Sequence, residues 1–211
     1  MILLVFWPTT LQAATLLASA ALSIWAVVIS RTRRGVPGGA PFSWLMTAVA
    51  VWSLTSAMHT LASDTDTRIV IAKVQYLAVA PIGVLWLLFT SRYSRAEWPT
   101  QPFLRVAIWI VPAITLLLAV TNDQHHLYWP AITEVATPTG TRLVYERGTW
   151  YWLNAGYNYV LMAIGTWLLA RGLRRFPPPY RRQTVLMIAG AIVPWLSNAL
   201  YLARCRPPAS T

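Results

Sequence analysis

Six long apolar runs, separated by short clusters of arginine, leave few folds open to this sequence. A bilayer core about 30 Å thick takes roughly 20 helical residues to cross. The runs at about residues 8–30, 42–62, 69–91, 104–121, 150–170 and 184–202 meet that length, and each is closed by charge, Pro, Gly or Asn. The fold class they predict is all-α: a polytopic transmembrane helix bundle of six spans over residues 1–203, with a short polar tail at 204–211. Composition argues the same way. Of the 211 residues, 56% are hydrophobic and 11% are charged. Soluble domains carry about 25% charged residues, so a soluble globular chain is excluded, and so is a disordered one.

The formal net charge of +11 would fit a nucleic-acid surface, but its layout reads as orientation. Residues 1–30 carry no charge, and Arg31, Arg33 and Arg34 follow the first run. A signal peptide has its positive charge before the apolar stretch, so this run is expected to be a retained helix with the N-terminus extracellular. The loops that then face inward hold eleven basic residues and one acid, Glu97. The outward side holds six basic residues and the other five acids. Basic residues concentrate on the inner side of membrane proteins, which accounts for the charge without nucleic acid. The expected setting is a multi-pass protein of the cell membrane, with the lipid bilayer as its first partner.

The longest outer connection runs from Asn122 to about Thr149, between the fourth and fifth spans. Two β-rich stretches, from Leu127 and from Arg142, flank Pro138 and Gly140 and predict a small extracellular hairpin. Pro81, Pro112 and Pro194 interrupt three of the spans, and a proline inside a helix frees a carbonyl and bends the chain. Trp7, Trp44, Trp98, Trp129, Trp150, Trp152 and Tyr180 fall at span ends, the interfacial belt positions of amphipathic rings. Trp52, Trp86, Trp109, Trp167 and Trp195 fall within spans and read as packing residues.

Polar side chains are costly in hydrocarbon and face the bundle interior. His59, Lys73, Gln75, Tyr76, Asn154, Tyr157, Asn158, Asn198 and Tyr201 all fall in the outer halves of their spans, because consecutive spans are antiparallel. Asn154 and Asn158 share a helix face at a spacing of four, with Tyr157 three residues from Asn154. Two readings fit this cluster. One is a ligand pocket open to the outside, lined by His59, Lys73, Tyr76, Asn154, Tyr157 and Asn198. The other is interfacial snorkelling of Lys73 and the tyrosines, with hydrogen bonds between helices from the asparagines. Neither catalysis nor a cofactor is expected: no nucleophile elbow, phosphate loop, zinc motif or intramembrane carboxylate pair is present. No metal is expected either, since Asp123 with the adjacent His125 and His126 is a poor ligand set. Cys205 is the single cysteine and reads as a free thiol.

A set of residues spread along the chain carries a resemblance. Trp52 is followed by Lys73 and Tyr76, then Pro81, Trp86, Phe89 and Tyr93, then Pro112, Thr121 and Asn122. His125, His126, Leu127 and Trp129 come next, then Gly148, Trp150 and Tyr157. Tyr180, Arg181, Arg182 and Gln183 precede Gly190, Pro194 and Asn198. In this order and spacing the chain resembles the N-terminal seven-transmembrane sensor region of prokaryotic histidine kinases. The resemblance implies a sensory input module of a two-component-like protein, sensing an extracellular or membrane-dissolved small ligand and passing a conformational signal to the cytoplasm. It also implies a cytoplasmic output domain or partner kinase, with a homodimer as the assembly such a role allows. The chain departs from that pattern in lacking a seventh helix and every output motif. It is therefore expected to be a fragment, or to work without an attached output domain, and not to be an enzyme itself. The alternative function is a small permease or transporter subunit, though the first and last three spans show no internal repeat. An intramembrane enzyme would lack any acid–base or metal set.

Overall fold

The computed structural model describes residues 9–32, 38–96, 101–137, 140–173 and 181–192. It is a helical bundle with one two-stranded sheet. Helix α1 (Thr9–Thr32) packs antiparallel on α2 (Gly39–Leu61). Gly38 leads into α2 at φ 83°, and a Cβ there would press on the Tyr93 backbone nitrogen at 3.3 Å. A left-handed backbone and a close neighbour together select glycine. Small hydroxyls join the two helices. The Ser19 and Ser53 side chains hydrogen-bond at 3.2 Å, Arg31 Nε donates to Ser43 Oγ at 3.2 Å, and Ser30 Oγ donates to the Gly39 carbonyl at 2.9 Å. Helices in lipid are held by such close packing and hydrogen bonds, because apolar burial alone gives no drive between them.

Helix α3 (Thr65–Val79) starts on Asp64, whose carboxylate accepts from the Thr67 amide at 2.8 Å. That bond holds the Asp64 carboxyl below its ordinary pKa and caps the helix. Helix α4 (Ile82–Tyr93) continues the same span after a break at Ala80 and Pro81. The next span is broken as well, into α5 (Pro102–Ala107) and α6 (Ile110–Val120). A single helical turn, α7 (Asn122–His125), closes on His126 in the left-handed region at φ 54°. Strand β1 (Ile132–Thr137) pairs antiparallel with β2 (Gly140–Tyr145), with Ile132 opposite Tyr145 and Glu134 opposite Leu143. Helix α8 (Thr149–Leu173) follows, and residues 181–192 form a further helix, α9.

Helix α4 is the core of the bundle. Gly83, Val84, Leu85, Trp86, Leu87, Phe89, Thr90 and Ser91 are all buried, so the helix is enclosed on nearly every side. On one side it meets Leu45 and Ala48 of α2, Leu169 of α8, and Met187 and Ile188 of α9. On another it meets Ile108 with Leu161 and Leu168 of α8. Contact with α8 is close because glycine sits at two crossing points. A Cβ on Gly83 would overlap Asn158, and one on Gly165 would lie 2.7 Å from Thr90 Oγ1 and 2.8 Å from the Trp86 ring.

By length and composition, three helical stretches among the described residues can cross a membrane: Thr9–Thr32, Thr65–Tyr93 and Pro102–Val120. Outward apolar side chains such as Leu22, Trp25 and Phe103 are 65%, 64% and 74% exposed. An apolar surface of this kind is solvated by lipid. Several tryptophans fall differently from the sequence expectation. Trp86 packs in the core, but Trp52, Trp109 and Trp167 point outward, and Trp129, read as a belt residue, is 4% exposed. An isolated apolar ring inside a span can face lipid as readily as protein, so sequence depth alone does not assign its direction.

The Gly165–Trp86 crossing gives a direct test. Gly165→Val should lower stability in detergent by about 1–3 kcal/mol through overpacking. Gly156→Ala, at a glycine with nothing within 4 Å, should leave it unchanged or raise it slightly. Thermal unfolding of the two variants checks both.

Candidate functional site

Helix α8 carries a polar stripe on a largely apolar helix. Asn154 is 5% exposed and makes four hydrogen bonds with its side chain and carbonyl. Its Oδ1 accepts from Thr115 Oγ1 of α6 at 3.2 Å and from Asn158 Nδ2 at 3.0 Å. Its Nδ2 donates to the Tyr128 hydroxyl at 3.3 Å, and Asn158 Nδ2 also reaches the Asn154 carbonyl at 2.9 Å. Trp150 Nε1 donates to Thr115 Oγ1 at 3.0 Å. Asn158 Oδ1 in turn accepts from the backbone N–H of Gly83 at 3.0 Å. Gly83 lies in the first turn of α4, where a helix has no partner of its own for its N–H groups.

Tyr157, next along α8, serves the other broken span. Its hydroxyl donates to the Ile108 carbonyl at 2.5 Å. Ile108 is four residues before Pro112, and a proline has no N–H to give to that carbonyl. Two adjacent residues of α8 thus satisfy backbone groups at both helix breaks.

Above Asn154 the connection after α7 folds into the bundle. The buried Asn122 side chain holds it in place. Its Oδ1 accepts from the amides of Tyr128 and Trp129 at 3.1 and 2.9 Å, and its Nδ2 donates to the Trp129 carbonyl at 3.0 Å. Gly148 N donates to the Tyr128 carbonyl at 2.9 Å, and a Cβ on Gly148 would collide with the Leu127 carbonyl. Tyr128 is 1% exposed. Its ring stands edge-on to Tyr76 at 4.8 Å, to Trp129 at 5.2 Å and to Tyr151 at 5.9 Å. Such T-shaped pairs place positive ring edges on negative faces.

The sheet docks over this chamber. Tyr145 packs on Trp129 at 5.4 Å, and its hydroxyl lies 3.1 Å from His59 Nε2. Arg68 bridges the end of α2 to β2, donating to the Ala62 and Thr141 carbonyls at 2.7 Å each. Thr65 donates to Glu134. Lys73 pairs with Asp123 at 2.5 Å, with side chains 17% and 72% exposed. An ion pair this open to solvent contributes at most about 1 kcal/mol. Burial raises the phenols of Tyr128 and Tyr145 to about 12, although the nearby Arg68 pulls Tyr145 down in part.

Of the residues expected from the sequence to line a pocket, Tyr76 and Asn154 meet through Tyr128. His59 reaches the same group one layer out, through Tyr145 and Trp129. Lys73 lies at the rim, where it pairs with Asp123. Tyr157 turns to the Ile108 carbonyl instead. Asn198 lies outside the described residues. Tyr128, Trp129, Asn122 and Thr115 were not among those candidates and supply much of the chamber. Asn122 had one legible signal: an Asn at a helix end readily hydrogen-bonds the backbone that follows it. The chamber is filled by its own side chains. An open groove of about 400 Å³ lies elsewhere, between α1 and α2, lined by Thr15, Ser19, Leu22, Ser23 and Met46.

Two outcomes follow from this geometry. Asn154→Leu should cost roughly 2–4 kcal/mol, since it leaves the buried Thr115, Tyr128 and Asn158 short of partners, while Tyr157→Phe should cost about 1 kcal/mol by freeing one carbonyl; chemical denaturation measures both. For pH, the folded phenols of Tyr128 and Tyr145 titrate above the ordinary value of 10.0. The stability they confer is complete below pH 10 and is lost as pH rises towards 12. Tyrosinate absorbance should therefore show a late step, smaller in Tyr128→Phe.

No curated protein and no solved structure matches the chain. The model of a family described as the N-terminal 7TM region of histidine kinase matches residues 13–211. With membrane-spanning helices, and with that match over nearly its whole length, the chain belongs to the histidine kinase N-terminal 7TM region family.

Proposed function

We propose that this chain is the membrane-embedded input module of a signal-transduction protein, sensing an extracellular or membrane-dissolved ligand and passing a conformational change to a cytoplasmic kinase. Six spans cross the bilayer with the N-terminus outside, and the β1–β2 hairpin covers the outer face. The chain supplies no catalysis; a separate output domain or partner kinase does. The observation that carries the reading is the continuous set of buried and half-buried hydrogen bonds from Tyr128 through Asn154 and Asn158 to Gly83 at the α3–α4 break. A ligand signals only if it binds two states of a protein differently. A polar chain anchored at the outer cap and ending at a helix break gives two such states a means of communicating.

Two experiments test this. In a Cys205→Ser background, Val144→Cys should react with a membrane-impermeant maleimide in intact cells, and Ala96→Cys only after lysis. The reverse pattern would sink the orientation. With the chain joined to its kinase in liposomes, Asn154→Leu should change autophosphorylation about tenfold relative to the parent. Unchanged output in Asn154→Leu and Asn158→Leu alike would contradict the input role.

A further inference from the structure

The innermost polar group of the chamber comes from a loop. Tyr128 follows the single turn of α7, and Asn122 and Gly148 hold its backbone in place. Its ring lies among Tyr76, Trp129 and Tyr151, and its hydroxyl meets Asn154 Nδ2, which donates at 3.3 Å. A six-membered ring bounded by aromatic edges, with one amide donor at its para end, is a receptor for a phenol. No charged side chain contacts the hydroxyl among the described residues, so the receptor suits a neutral phenol and not a phenolate. Burial holds the Tyr128 phenol neutral to about pH 12, in keeping with that environment.

We infer that Tyr128 is a built-in occupant of the ligand site, and that the ligand class is a neutral, para-substituted phenol that takes its place and frees the Leu127–Trp129 segment. This rests on the sensory reading above and adds the ligand chemistry to it. A ligand entering an occupied site binds only the fraction of molecules in which the occupant is out, and its apparent affinity falls by that fraction. Weakening the occupant therefore tightens the ligand. Displacement also releases Asn154 Nδ2 to the incoming hydroxyl, and moves the cap that Trp129 and Tyr145 hold down.

The test uses the full chain in lipid nanodiscs, with 4-ethylphenol as probe and ethylbenzene as the matched ring without a hydroxyl. Saturable binding is read by Trp fluorescence and by competition. Tyr128→Ala should bind 4-ethylphenol at least tenfold more tightly than the parent. Tyr128→Phe keeps the ring and the packing but loses the bond to Asn154, so its affinity should rise about fivefold. Adding Asn154→Leu should abolish the preference for 4-ethylphenol over ethylbenzene. If Tyr128→Ala does not fold, Tyr128→Phe decides alone. Equal affinity in Tyr128→Phe and the parent, or no preference for the hydroxyl, would overturn the proposal. Phenol binding with these preferences but without any change in kinase output would support the site and contradict the sensory reading. Loss of output control in Asn154→Leu without phenol binding would do the opposite.

Discussion

A proline inside a membrane helix leaves a carbonyl without its donor, and hydrocarbon offers no water to replace it. Two spans of this bundle break close to a proline, Pro81 and Pro112, and α8 satisfies one backbone group at each break: an N–H at the first and the freed carbonyl at the second. Asn158 takes the Gly83 N–H just after the first break, and Tyr157 gives its hydroxyl to the Ile108 carbonyl at the second. Adjacent residues on a helix point about 100° apart, so one turn of α8 can serve two neighbours at once. The packing follows from this. Gly83 must lack a side chain for Asn158 to reach its backbone, and Gly165 keeps α8 against Trp86 further along. Helix α4 is held between these points and becomes the most enclosed helix among the described residues.

The same stripe of α8 ties the bundle to its cap. Asn154 stands one turn before Asn158 and is bonded to it, to Thr115 and to Tyr128. The cap is therefore not a detached loop: Tyr128 and Trp129 belong to the core, and the hairpin rests on them through Tyr145. Contacts at the edge, from Arg68, Lys73 and Thr65, are more exposed and weaker individually. Movement of the cap relative to the helices would strain the peripheral bonds first and the Asn154 node last.

Much of the helical framework was legible in the sequence, because the length of an apolar run is set directly by bilayer thickness. The expected spans at 8–30, 69–91 and 104–121 fall on the three helical stretches long and apolar enough to cross a membrane, and those at 42–62 and 150–170 fall on the helices α2 and α8. For the span at 184–202, residues 181–192 are helical and the rest lie outside the described residues. Pro81 and Pro112 marked two spans that break, and Pro194 lies outside the described residues. Sequence alone did not reveal what satisfies those breaks, since Asn158 and Gly83, like Tyr157 and Ile108, are far apart in the chain and meet only after packing. In the connection between α7 and α8, the stretch from Leu127 was read as β-rich. Tyr128 and Trp129 instead turn inward as core, and the strand starts at Ile132. An aromatic pair beside a helix end serves equally well as an interfacial belt or a buried plug. The choice was made by Asn122 and Gly148, residues whose role depends on a close backbone approach that no local pattern encodes. Asn154 and Tyr76 stood out in the sequence because polar groups in a span are rare, whereas Thr115 was hidden by its resemblance to ordinary small residues of membrane helices.

The central claim is that α8 side chains hold the broken helices and the cap as one hydrogen-bonded unit. Amide hydrogen exchange of the intact chain in nanodiscs, compared with Asn158→Leu, addresses it most directly. The Gly83 amide has Asn158 as its partner, so exchange in the segment around residues 80–84 should accelerate in the variant, and residues 127–129 should lose protection with it through Asn154. Unchanged exchange around Gly83, or acceleration there with the cap fully protected, would contradict the account.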